Sequence, residues 1–187
     1  PYLEQAIRNS PKARQRHAAT MCVACICAGK NPSQQRFAAS VKATRKGGAP
    51  IPDADLRGLP ILIYALKDTD PMTREIAAQG LGYLGDERAA GPLAKALSDS
   101  DTQVRRRAAA ALVTTPSRAA QAALTRTATK DKDATVRRFA VEALGWVGDP
   151  SAIGPLAAAT FDKSAEVRQE AATQLGRLKN PDGLQAL

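Results

Sequence analysis

Residues 85–113 read GDERAAGPLAKALSDSDTQVRRRAAAALV, and residues 148–176 read GDPSAIGPLAAATFDKSAEVRQEAATQLG. Both open on Gly-Asp, reach Gly-Pro-Leu-Ala six residues later, and then place Val-Arg and a following Ala at matching distances. Self-similarity at a fixed period marks a stacked-repeat architecture, so it governs every other reading of the chain. The block extends in both directions. Asp70-Pro-Met-Thr-Arg74, Asp101-Thr-Gln-Val-Arg105, Asp133-Ala-Thr-Val-Arg137 and Ser164-Ala-Glu-Val-Arg168 follow one another at steps of 31, 32 and 31 residues. Ala77, Ala108, Ala140 and Ala171 come three residues after each Arg, and Leu81, Leu112, Leu144 and Leu175 four residues after that.

One block reads as two helices. Asp70, Asp101 and Asp133 stand where an N-cap carboxylate accepts from the free N–H groups of a first turn. Val104, Ala108, Leu112 and Thr115 then fall at i, i+4, i+8 and i+11, drawing one buried stripe along a helix. Gly85-Asp86 and Gly148-Asp149 end such helices, and another helix follows with Pro92 or Pro155 near its start, where a missing N–H costs least. Neither helix can bury its apolar face alone, so stacked neighbours must supply the core.

These blocks resemble the HEAT-like repeats of the phycobilisome-lyase type over residues 53–187. The resemblance implies an all-α, right-handed α-solenoid of stacked helical hairpins, about four to five in number. It also implies that the Arg-bearing helices line the concave face, and that Arg and Asp form a ladder between repeats. Carried onto this sequence, the ladder is Arg74, Arg105, Arg137 and Arg168 with Asp70, Asp101 and Asp133; Ser164 departs from the pattern. Such repeats serve scaffolds, transport receptors, lyases, a hydroxylase and DNA glycosylases, so the fold alone does not choose a function.

Upstream, Pro1 to Ile7 matches Pro60 to Leu66, and a shift of 59 residues sets Cys22 and Cys25 on Leu81 and Leu84. Residues 33–45 read as an additional helix and residues 46–52 as an extended loop. The chain divides into a divergent basic segment, 1–52, and the regular repeats, 53–187. Pro1 opening inside one helix and residues 183–187 opening another give the expectation of a piece of a longer protein. KARQRHAATMCVACICAG has the basic-then-apolar order of a signal peptide, but its fit to the repeat favours a helix.

Composition narrows the chemistry. Aromatics are 4% of the chain against 44% apolar residues in total, which suits closely packed alanine-rich helices. The net charge of +9 is local: residues 1–50 carry nine Lys/Arg and one acid, whereas residues 51–187 carry eighteen and seventeen. A basic face can bind nucleic acid, though a solvated surface is the plainer reading. No apolar run has the ~18 residues needed to span a membrane. Three clustered cysteines without a spaced framework suit a reducing compartment such as the cytoplasm.

His17, the single histidine, precedes Ala18, so the His-Glu pairs of iron-binding HEAT-like members are missing. His17 and Cys22 lie five apart on a helix and point to different sides. No phosphate loop or nucleophile motif appears. The expectation is no catalytic residue, no metal, no cofactor and no enzyme.

What remains is binding. Successive outward positions counted from each Arg are Glu75, Gln79 and Tyr83; Arg106, Ala110 and Thr114; Arg138, Glu142 and Trp146; and Gln169, Thr173 and Arg177. Side by side they make a surface with two aromatics flanked by arginines, the composition of interface hot spots. The expected partner is another protein or a peptide. One alternative is a DNA glycosylase-like role using Trp146 and Asp149, opposed by Glu75 and Glu142, which repel phosphates. The other is a bilin lyase-like role, which rests on the resemblance.

Overall fold

The computed structural model describes residues 2–28 and 55–179. Ten α-helices order the described residues: α1 (Tyr2–Asn9), α2 (Ala13–Ala28), α3 (Asp55–Ala65), α4 (Pro71–Leu84), α5 (Ala90–Ala96), α6 (Thr102–Thr114), α7 (Gln121–Lys130), α8 (Ala134–Val147), α9 (Ile153–Ala159) and α10 (Ala165–Lys179). They pair as five hairpins stacked into an α-solenoid. The even-numbered helices lie flank to flank through the whole stack, while the odd-numbered ones touch one another only lightly. The tighter layer sits on the inside of the curve, so the even-numbered helices form the concave side. The extra helix expected at 33–45, the loop at 46–52 and the helix opening at 183 lie outside the described residues.

The core runs between the two layers. Val104, Ala108 and Leu112 are fully buried, and Thr115 nearly so, as the stripe predicts. Leu81, Leu93, Leu124, Leu144 and Leu156 are likewise fully buried, each contributing roughly 1.5–3 kcal/mol. Glycine ends α4 and α8 for a conformational reason: Gly85 and Gly148 sit at φ 62° and 70°, and each N–H closes back on Leu81 or Leu144. Asp86 and Asp149 follow as caps of short 3-10 turns, accepting from Arg88 N–H and Ser151 N–H.

The hairpins are joined by an arginine in each of the concave helices α2, α4, α6 and α8 that grips the next hairpin. Arg74 Nε and Nη2 donate to the two carboxylate oxygens of Asp99 at 2.7 and 2.8 Å. Arg105 does the same to Asp131 at 2.8 and 3.3 Å, and Arg137 to Asp162 at 2.8 Å for both bonds. The remaining nitrogen, Nη1, turns back to the loop of its own hairpin, donating to the carbonyls of Asp68, Asp99 and Asp131. Each receiving carboxylate also accepts the N–H two residues on: Asp70, Asp101, Asp133 and Ser164.

This corrects the expected ladder. Asp70, Asp101 and Asp133 are N-caps, accepting from Thr73, from Gln103 and Val104, and from Val136; the ladder carboxylates are the aspartates two residues earlier. The reason is geometric: the ladder arginine reaches the aspartate two residues before the cap, and where a cap carboxylate does pair across a joint, as Asp133 does, its partner is the following arginine, Arg106. Asp162 is therefore present where Ser164 departed, and that rung is complete.

A second correction concerns register. Arg16 Nε and Nη2 grip Asp68 at 2.6 and 3.0 Å, and Arg16 Nη1 donates to the Ser10 carbonyl, reproducing the rung at Arg74. The first hairpin is thus offset by 58 residues. Val23, buried, takes the place of Leu81, while Cys22 is only partly buried. The side chains of Cys25 and Cys27 lie outside the described residues.

Small residues let the concave helices approach. A Cβ on Gly82 would sit 2.9 Å from Ala111 Cβ and 3.0 Å from its Cα, and one on Gly145 would collide with Gln174. Gly176 occupies the same repeat position with nothing within 4 Å among the described residues. Gly82→Ala is therefore expected to destabilise by about 1–3 kcal/mol through overpacking, while Gly176→Ala stabilises by up to about 1 kcal/mol through helix propensity. Urea unfolding of the two variants checks the opposite signs.

The same experiment separates the ladder positions. The Arg137 and Asp162 side chains are 3% and 12% exposed, and Arg137→Ala leaves a carboxylate without its cation, a loss of about 3–5 kcal/mol. Arg168 is exposed and, among the described residues, bonds only the carbonyls of Asp162 and Lys163. Arg168→Ala should cost about 0.5 kcal/mol or less.

Candidate functional site

The concave face is built from positions spaced one helical turn apart, so each even-numbered helix presents a row and neighbouring rows lie side by side. The expected binding residues occupy this surface unequally. On α4, Gln79 Nε2 donates to the Tyr83 hydroxyl at 2.6 Å. Glu75 receives Arg107 Nε from the next hairpin at 3.0 Å. Thr114 on α6 ties back to the Gly82 carbonyl at 2.9 Å. This half of the face is bound to itself.

Arg106 does not stand free in the row. Its Nε and Nη2 reach the two oxygens of Asp133 at 3.0 and 2.5 Å, across to the cap of α8. The aspartate at that cap draws Arg106 toward the loop edge. Arg106 holds the Asp133 carboxyl down at about 2, helped by the N–H groups of α8 and opposed by partial burial.

Between α8 and α10 the arrangement is looser. Trp146 is 47% exposed, and the Arg177 guanidinium lies over its ring at 3.4 Å from the centroid. Arg177 Nη1 donates to Gln174 Oε1 at 3.0 Å, and Gln174 Nε2 donates to Glu170 Oε1 at 2.6 Å. Arg138 lies over the Phe139 ring and shares one nitrogen, Nη1, between Glu142 at 3.5 Å and Glu170 at 3.9 Å. The first sits at the limit of hydrogen bonding and the second is an ion pair beyond it, unlike the bidentate pairs of the ladder. Burial, and then the neighbouring Glu170 carboxylate, push the Glu142 carboxyl up from its ordinary value.

The sequence rows therefore bring Arg138, Glu142, Trp146 and Arg177 together, and leave Glu75, Gln79, Tyr83 and Arg106 in local contacts elsewhere. They missed Arg107 and Glu170, which occupy the position after the outward one and cross to the adjacent helix. Alternation of charge between neighbouring repeats, Glu75 against Arg107 and Arg138 against Glu170, is the signal that locates them. Asp149, the candidate carboxylate of the DNA-acting reading, caps a 3-10 turn and lies 3.3 Å from Arg118 of the preceding hairpin. Among the described residues no group of His, Cys, Asp and Glu side chains could hold a metal ion, and no helix is long and apolar enough to cross a membrane.

The family model for HEAT repeats matches residues 59–138 and 123–187. No curated protein matches the sequence. Among solved structures, the CpcE–CpcF complex of phycocyanin lyase from Nostoc sp. PCC7120 is similar at 22% identity and TM-score 0.69, over 95% of this chain and 65% of that one. Human deoxyhypusine hydroxylase is similar at 21% identity and TM-score 0.62, over 96% and 73%. A designed armadillo repeat protein in complex with the peptide (KR)4 is similar at 19% identity and TM-score 0.64, over 100% and 90%. At these identities the likeness is one of fold.

The Arg106–Asp133 pair predicts a pH signature. The unfolded carboxyl titrates near ~3.9, so the stabilisation is fully present above that pH and disappears as pH falls through about 2. Thermal unfolding of wild type and Arg106→Ala should differ at pH 5 and converge near pH 2. A difference that persists at pH 2 would show that Arg106 acts through packing alone.

Proposed function

The chain belongs to the HEAT repeat family, and from that premise we propose that it is a non-catalytic recognition module binding another protein or a peptide along its concave face. The observation that carries this reading is the half-exposed Trp146 on the concave layer, bordered by Arg138 and Glu142. A large aromatic held on a rigid helix among charged groups is the kind of side chain on which binding energy concentrates. The rigid stack supplies the second requirement. Its ladder fixes the spacing of successive rows before a partner arrives, so little ordering is needed on binding.

The fold neighbours support the class of partner without naming it, the designed armadillo protein being one that holds a peptide. A nucleic-acid role fits the concave face less well. Arg106, Arg107 and Arg138 are answered by Glu75, Asp133, Glu142 and Glu170, so most of the phosphate-neutralising excess that drives such binding is offset there. The bilin lyase-like role has no support beyond the shared fold of the phycocyanin lyase complex.

Linear peptides selected from a display library against the full chain test the proposal. The Arg138→Ala/Trp146→Ala double variant should lose affinity by about thirtyfold or more while retaining its helicity. Unchanged affinity in a folded double variant overturns the concave-face reading. Duplex DNA titrated across a salt series checks the rival class, which requires a steep fall in affinity with salt.

A further inference from the structure

Trp146 and Glu142 lie one helical turn apart on the same face of α8, and Glu170 and Arg177 reach the same place from α10. The ring carries a guanidinium already. Arg177 stacks on it at van der Waals distance, which shows that the surface accepts a planar cation. Arg177 does not complete the site, however. Among the described residues its one hydrogen bond goes to Gln174, and neither Glu142 nor Glu170 comes within ion-pair distance of it. Glu142 is met, among the described residues, only by one Arg138 nitrogen at 3.5 Å, and Glu170, which accepts from Gln174 Nε2 at 2.6 Å, shares that nitrogen at 3.9 Å. Arg177 is tethered to α10, so it can cover the ring or approach the acids but does not do both.

We propose that this surface between α8 and α10 is a guanidinium seat, held by Arg177 in the free protein and taken over by an arginine side chain of the bound segment. The inference rests on the concave-face reading and names the chemistry of its partner. An untethered guanidinium can lie against the indole and direct its N–H fork at Glu142, replacing a single long ion pair by a short bidentate one. A lysine ammonium has no plane to stack, and a carboxylate would meet Glu142 and Glu170. Arg177 then acts as an internal competitor whose departure is part of binding.

Trp146 is the single tryptophan of the chain, so its fluorescence reports this seat alone. The full chain is titrated with the probe peptides acetyl-(Arg-Gly)4-amide, acetyl-(Lys-Gly)4-amide and acetyl-(Glu-Gly)4-amide. The arginine peptide should give a saturable change, the lysine peptide a weaker one and the glutamate peptide none. Arg177→Ala should tighten the arginine peptide by about threefold, because the competitor is gone. Glu142→Gln, which keeps the side-chain shape and removes a charge that burial disfavours, should weaken it by about tenfold. Arg126→Ala on α7 should leave it unchanged. An equal response to the glutamate peptide, or Arg177→Ala and Glu142→Gln variants that bind like wild type, overturns the seat. Display-selected peptides that require Trp146 but ignore both of those variants would remove the seat and leave the concave-face reading standing.

Discussion

The bidentate pair between an arginine of one hairpin and an aspartate of the next is the constraint on which the rest of this structure depends. Each arginine binds in two directions at once: the carboxylate ahead of it and, through Nη1, one or two carbonyls of its own loop. Burial works against the charged forms of Asp68 and Asp99, yet the hydrogen bonds from Arg16 or Arg74 and from backbone N–H groups outweigh it, and both carboxyls lie below the ordinary range. For Asp162 the bond from Arg137 is the leading effect and burial opposes it. A charge pair so placed is sensitive to the loss of either member, so it fixes how one hairpin sits on the next more than it adds net stability.

Everything on the concave face follows from that fixed placement. The small residues at Ala24, Gly82 and Gly145 permit close helix approach, and the ladder decides which residues meet there. Glu75 finds Arg107, and Arg138 finds Glu170, because the ladder sets the offset between adjacent helices. Where that offset satisfies every charge, as at Arg106 and Asp133, the surface is closed chemically. Where it leaves Trp146 half-exposed beneath Arg177 and Glu142 poorly bonded, the surface is open to a ligand.

The repeat was legible because its signals are local: caps, an apolar stripe and a terminating glycine all fall within one block. The ladder was legible only in part. The arginines could be read from their period, but choosing between the aspartates four and six residues before each Arg required knowing which one faces the neighbouring hairpin. Asp162 held the answer in the sequence, since it persists where Ser164 replaces the capping aspartate. The one-residue error in the first hairpin has a similar cause. Aligning Pro1 with Pro60 matched the outer helices, whereas Arg16 and Asp68 fix the register of the inner ones. The site was found at Trp146 and Glu142 but not at Glu170, because a row counted along one helix omits what the next helix contributes.

The first hairpin shows that the ladder has a direction. At its ladder position stands Ser10, whose hydroxyl satisfies the Lys12 N–H as the aspartates satisfy theirs, but which offers no carboxylate to a preceding arginine. Each internal joint thus has a giving side and a receiving side, the arginine belonging to one hairpin and the acid to the next. Because the matching is confined to the edges that meet, a hairpin that keeps its own acid and its own arginine can be exchanged for another without redrawing the rest of the stack.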